Sequence, residues 1–176
     1  MVSSSKKQSI QWKYRILGLI ALSIIFLDQL TKHWVQDQFK LGETLPVLLN
    51  FFNFTYVQNQ GAAFGLFAQS DPRFRVPFFI LIPLFALSTI IYVFRKIPDS
   101  DIKLSIALSL VISGAIGNLI DRLRLGYVVD FLDFHWYWVY HFPAFNVADS
   151  AICVGVSLIL LDLFLKEKSL SERKGA

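Results

Sequence analysis

Four stretches of this 176-residue chain are almost unbroken in apolar side chains, at about 16–35, 76–94, 102–123 and 147–165. Each is close to the 20 or so residues that a helix rising 1.5 Å per residue needs to cross a hydrocarbon core about 30 Å thick. The pattern therefore predicts an all-α membrane protein: four transmembrane helices in one polytopic domain, 1–176, with no internal repeat and no linker long enough to separate two domains. The segments between the spans are not ordinary loops. Residues 36–75 contain LPVLLNFFNFTYVQNQGAAFGLFA, too apolar for a solvated tether. Phe, Tyr, Val and Thr cluster ahead of Gly61, which predicts short strands within 47–57 and a turn or short helix at 61–67. Residues 124–146 hold eight aromatics from Phe131 to Phe145, among them Trp136 and Trp138. Such rings join an apolar body to a polar tip and settle at the headgroup level.

Composition agrees with the pattern. The chain is 55% hydrophobic with a mean hydropathy of +0.52, against roughly 45–50% apolar residues in soluble domains, and a soluble core of this size could not bury that much. The first apolar run follows Lys6, Lys7, Lys13 and Arg15, as a secretory signal would, but it is too long for a typical signal core. Asp28-Gln-Leu-Thr-Lys32 also stands where a small-residue cleavage site would be wanted, so the run reads as a retained anchor. Lys and Arg concentrate in the N-terminal arm, in the link 95–103 and in the tail from Lys166. By the retention of basic residues in short cytoplasmic loops, both termini are expected to be cytoplasmic and the two longer loops to lie on the outer face. The net charge of +4 then reflects topology and contact with anionic membrane lipids, and lends nothing to a nucleic-acid partner. Cys153 is the only cysteine, so an intrachain disulfide is excluded, and within an apolar helix it is expected to be a small buried hydrophobe rather than a nucleophile.

Ionisable groups within apolar spans cost roughly 2.5–3.5 kcal/mol each on insertion scales and need a reason. Asp28 and Lys32 are spaced i, i+4 on one face of the first helix, compatible with an ion pair that snorkels to the outer interface or with a functional role. Asn118, Asp121 and Arg122 project from one side of the third helix near Gly114 and Gly117, whose small surfaces permit close helix approach; a polar helix–helix clamp accounts for them. Asn146 is a candidate N-cap for the fourth helix, and Asp149, three residues on, fits a capping-box acid.

Topology changes the reading of the acids. The third helix ends and the fourth begins on the same side, so Asp130, reached by a return at Gly126 and flanked by Val128, Val129 and Phe131, comes to a depth similar to that of Asp149. Two carboxylates in a poorly hydrated site cannot both ionise cheaply; they share a proton and titrate as a unit. One can then take a proton from water while its protonated partner polarises a peptide carbonyl, as in aspartic proteases. Neither metal nor other cofactor is required. No HExxH or GxSxG motif is present. His135 and His141 with Asp133 suggest zinc only weakly, interfacial hydrogen bonding being the simpler account. Two other classes fit parts of the pattern: a transporter using Asp28, Lys32, Asp121 and Arg122 as an intramembrane relay, and a noncatalytic lipid-binding or assembly protein.

DQLTK in the first helix, NQGAAFG in the first outer loop, GAIGNLIDRLRLGYVVDF and FNVADSAI resemble, in order and spacing, the four signature blocks of the bacterial lipoprotein signal peptidases, signal peptidase II. They span 28–152. Ser113 departs from the pattern, where the family commonly has a second glycine before Gly114. The resemblance implies an aspartic endopeptidase of the bacterial cytoplasmic (inner) membrane. Such an enzyme would remove signal peptides from diacylglyceryl-modified prolipoproteins just before the lipidated cysteine, with its active site toward the outer face. It also implies a small β platform in the first outer loop and inhibition by globomycin-type compounds. It places the catalytic aspartates at Asp130 and Asp149. The supporting or substrate-binding positions fall on Asp28, Lys32, Asn59, Gly61, Asn118, Asp121, Arg122 and Asn146.

Overall fold

A computed structural model of the chain describes residues 4–61, 71–137 and 139–174. Four helices, α1 (Ser4–Gln38), α2 (Pro72–Lys96), α3 (Ile102–Leu125) and α4 (Val147–Lys174), alternate with strands β1 (Thr44–Leu48), β2 (Phe52–Asn59), β3 (Val128–Trp136) and β4 (Tyr140–His141). The helices contain four spans long and apolar enough to cross a membrane, Trp12–Gln38, Pro77–Lys96, Ile102–Leu125 and Val147–Lys168. Each expected run lies within one of the four helices, and α1 and α4 continue beyond theirs. The turn or short helix expected at 61–67 lies, beyond Gly61, outside the described residues, as does Trp138.

Local chemistry sets the helix ends. Asp71 caps α2, its carboxylate accepting from the Arg73 amide at 2.8 Å, and Pro72 fills the first turn, where no amide is needed. Asp101 caps α3 by accepting from the Leu104 amide at 3.1 Å. The helix stops at Gly126, whose φ of +81° is the left-handed conformation that releases the chain into β3.

α3 is the central helix: 12 of its 24 residues are buried, whereas the other three turn apolar surface outward, and Cys153 of α4, expected to be buried, lies exposed on that outward surface. Leu108, Ile112 and Leu119 of α3 pack with Leu87 and Phe94 of α2. On its other side α3 meets α4 so closely that a Cβ on Gly114 would overlap the Ala148 carbonyl oxygen and lie 2.8 Å from Ile152 Cγ1. Gly114→Ala is therefore expected to destabilise the protein by about 1–3 kcal/mol and to lower activity with it, because Ala148 precedes Asp149. Gly18→Ala, with nothing within 4 Å of its added carbon, should be neutral or slightly stabilising. Thermal unfolding of both variants in detergent checks the contrast.

The strands form one antiparallel sheet in the order β1-β2-β3-β4. The expected platform is present and larger than anticipated: the segment between α3 and α4 supplies β3, the strand that carries Asp130. β2 and β3 pair Val57 with Asp130 and Asn59 with Val128, and a register shift between Phe54 and Val57 marks a bulge beside that acid. Val35 of α1, Tyr56 of β2 and Val129 and Phe131 of β3 form the apolar cluster that joins the sheet to the helices.

Candidate active site

The site lies where the C-terminal end of α3, the start of β3 and the first turn of α4 converge. The α4 terminus is fixed by a reciprocal cap: the Asp149 amide donates to Asn146 Oδ1 at 2.9 Å, and the Asn146 amide donates to Asp149 Oδ2 at 3.3 Å. The capping-box geometry expected from sequence is thus present, and the same carboxylate also lines a cavity. That cavity, about 260 Å³, is bounded by Asp130, Asp149, Asn59, Asn118, Arg122, Val128 and the 142–145 segment.

Asparagine amides connect the two acids. Asn118 Nδ2 donates to Asp149 Oδ1 at 2.7 Å. Asn146 Nδ2 donates to Asp130 Oδ1 at 2.7 Å and approaches Asn118 Oδ1 at 3.2 Å. Asn59 Nδ2 donates to Asp130 Oδ2 at 3.0 Å, while its Oδ1 accepts the Gly61 amide, also at 3.0 Å, which fixes the direction of the side chain. Each carboxyl group is therefore held at both oxygens. Their surroundings differ. Asp130 is 2% exposed, whereas Asp149 is half-buried at the positive end of a helix. Burial, with the Asp149 charge acting second, pushes Asp130 up to about 7, against the smaller opposing pull of the Asn59 and Asn146 hydrogen bonds and of Lys32.

Asp28 and Lys32 do not snorkel. They are 0% and 1% exposed, because the Lys32 ammonium spends its three hydrogens inside the bundle, on Asp28 at 2.9 Å, Asp121 at 3.0 Å and Asn118 Oδ1 at 3.0 Å. Asp28 also accepts the Ala148 amide of α4 at 2.9 Å, and Asp121 accepts the Val129 amide of β3 at 3.1 Å. The expected clamp is there, and it joins four elements where two were foreseen. Arg122 turns toward the cavity instead: its guanidinium reaches the Gly61 carbonyl at 3.4 Å and lies 5.8 Å from the Phe79 ring centre.

Two contributions were missed from the sequence. Gln29 donates to Asp121 Oδ1 at 2.9 Å and to Asp28 Oδ2 at 3.2 Å; its signal was a second polar group beside Asp28 within the span. The 142–145 segment walls the cavity, where only an aromatic belt was expected. The histidines pair across β3 and β4 with rings stacked 5.4 Å apart, and Asn53 Nδ2 approaches His135 Nδ1 at 3.4 Å. Among the described residues no group of three or more His, Cys, Asp or Glu is placed to hold a metal ion. A larger apolar groove, about 630 Å³, runs along α1 and has no carboxylate in its lining.

Residues 20–165 match the family model described as signal peptidase (SPase) II. The lipoprotein signal peptidase of Syntrophotalea carbinolica is 53% identical over 149 residues, covering 85% of this chain and 91% of that protein. The one from Geobacter sulfurreducens is 48% identical, covering 88% and 95%, and the one from Shewanella loihica is 47% identical, covering 96% and 94%. A bacterial membrane enzyme solved by the in meso method at 2.3 Å superposes with a TM-score of 0.76 at 37% identity, covering 87% of this chain and 89% of that one. With the family model spanning all four helices and the relatives aligned over nearly their whole length, the chain belongs to the signal peptidase II family and is a membrane-spanning peptidase.

Proposed function

We propose that the protein is an aspartic endopeptidase that cleaves the signal peptide from diacylglyceryl-modified prolipoproteins on the N-terminal side of the lipidated cysteine. It works in the bacterial cytoplasmic membrane, with both termini cytoplasmic and the site at the outer face. The observation that carries the mechanism is the pair of carboxyl groups, Asp130 and Asp149, lining one small cavity and linked through Asn118 and Asn146. The names of the relatives support the substrate class. The apolar spans and aromatic outer loops suit a substrate whose acyl chains stay in the bilayer while the scissile peptide reaches the interface.

The differing environments support a division of roles. Asp149, half-buried at a helix N-terminus, is the ionised base, and buried Asp130 holds the shared proton. Water attacks the carbonyl carbon and gives its proton to Asp149, while Asp130 protonates the carbonyl oxygen. Asp149 then delivers its proton to the departing nitrogen as the C–N bond breaks, and the remaining hydroxyl proton returns to Asp130. Asn59 and Asn146 hold Asp130 in place, and Arg122 braces the Gly61 backbone at the cavity rim.

The test is a gel-shift assay with lipidated and unlipidated precursor, on wild type and on Asp130→Asn and Asp149→Asn. Cleavage of the lipidated form by wild type alone is expected, with block by a globomycin-type inhibitor. Cleavage of both precursors at equal rates would defeat the substrate assignment.

A pH dependence follows from Asp130. Its acid form is required, so kcat/KM should fall as pH rises through about 7. In the unfolded chain an aspartate titrates near 3.9, so the fold favours the protonated form. The stabilisation that this group contributes is fully present below about 4 and is lost as pH rises through about 7. Thermal transitions of wild type should accordingly be lower at pH 8 than at pH 5, and Asp130→Asn should flatten that difference.

A further inference from the structure

Lys32 touches neither acid of the pair, yet two short routes lead from its ammonium to both. The first passes through Asn118. An ammonium has donors only, so the 3.0 Å contact fixes the carbonyl end of the Asn118 amide toward Lys32 and leaves its NH2 end facing Asp149 Oδ1 at 2.7 Å. The second passes through Asp121, held by Lys32 at 3.0 Å, which accepts the Val129 amide at 3.1 Å. The Val129 carbonyl accepts from Asn146 Nδ2 at 3.2 Å, so the residue before Asp130 is gripped at both of its backbone polar groups.

Resting on the aspartic mechanism proposed above, we infer that Lys32 is the positioning residue of the acid pair. By holding Asn118 and Asp121 together, it points a donor at Asp149, fixes the strand that presents Asp130, and supplies the positive charge against which the pair carries its single negative charge. No other lysine among the described residues is buried near the cavity. The charged groups facing the pair are Asp28 and Lys32 from α1 and Asp121 and Arg122 from α3. Asp28 lies behind Lys32, bonded to its ammonium and to the α4 backbone, while Arg122 is engaged with the Gly61 carbonyl.

A merely architectural lysine and a positioning one predict different pH behaviour. Removing the nearby positive charge makes the singly ionised pair costlier relative to the doubly protonated one, so the acidic limb of the profile moves to higher pH. A loosened scaffold lowers the whole curve and leaves its limbs in place.

Lys32→Met strands two buried carboxylates, Asp28 and Asp121, so the decisive variant is Asp28→Asn/Lys32→Gln, in which two amides replace the ion pair. Asp28→Asn alone is the control. In detergent, with folding checked by size exclusion and thermal transition, kcat/KM for a lipidated precursor is measured from pH 4.5 to 9. Measured against Asp28→Asn, so that the two proteins differ only by the lysine charge, the expected result is an acidic limb displaced upward by about one pH unit, kcat lowered about tenfold and KM little changed. A folded double variant with the same limbs as Asp28→Asn overturns the inference, and so does its failure to fold when Asp28→Asn folds, since Lys32 is then architectural. Turnover retained by Asp130→Asn or Asp149→Asn would instead defeat the underlying mechanism, so the two failures are told apart.

Discussion

Asp130→Asn and Asp149→Asn are each expected to lower turnover of a lipidated precursor by at least about 10³-fold, within the range for loss of a general acid or base, while the folded protein remains in the membrane. Asparagine is the informative replacement because it keeps the size and one oxygen of the carboxyl group and loses only the ability to carry or exchange the proton. Its cost to the fold is limited. At 149, Asn118 Nδ2 and the Asn146 amide each face one carboxyl oxygen, and at 130 the Asn146 and Asn59 amides do the same. A new NH2 group must therefore oppose one donor at either position, a loss of about 1–3 kcal/mol. Activity measured on purified variants beside their thermal transitions separates the two effects. An inactive but folded protein supports the paired acids, whereas residual turnover within tenfold of wild type at either position removes that residue from the chemistry.

The four spans were legible because length and hydropathy alone decide whether a helix can cross a bilayer, and the i, i+4 spacing of Asp28 and Lys32 showed on its face. The convergence of Asp130 and Asp149 on one cavity was accessible from topology, since α3 ends and α4 begins on the same side. What escaped was the element that presents Asp130. β3 pairs with β2, so that Val128 lies opposite Asn59, 69 positions earlier in the chain. The aromatic content of β3 is also what an interfacial belt requires, so nothing local distinguishes strand from loop. Gln29 escaped for a related reason. A neutral amide in a span costs less than a charge and raises less suspicion, and its partner Asp121 lies 92 positions away. Snorkelling of Lys32 was a fair expectation for an isolated pair; the acceptors that hold it inside, Asn118 and Asp121, belong to another helix.

Asp28→Ala is expected to cost about 3–5 kcal/mol, the range for breaking a buried ion pair by removing one partner. The loss has two parts. Lys32 would keep Asp121 and Asn118 but have one ammonium hydrogen without its acceptor in a site that is 1% exposed. The Ala148 amide in the first turn of α4 would lose the side-chain oxygen that now accepts it at 2.9 Å. Gly117 makes this position hard to repair from outside: a Cβ there would lie 2.7 Å from Asp28 Oδ2, so α1 and α3 are already in close approach around the carboxylate. Asp28→Asn separates the two parts, because its amide oxygen can still accept from Ala148 while the negative charge is gone. The order of stability expected from thermal unfolding in detergent is wild type, then Asp28→Asn, then Asp28→Ala. Because Ala148 adjoins Asp149, activity at a temperature where all three are folded should follow the same order. Equal stability of the Ala and Asn variants would show that the Ala148 contact contributes nothing, leaving the ion pair as the sole source of the loss.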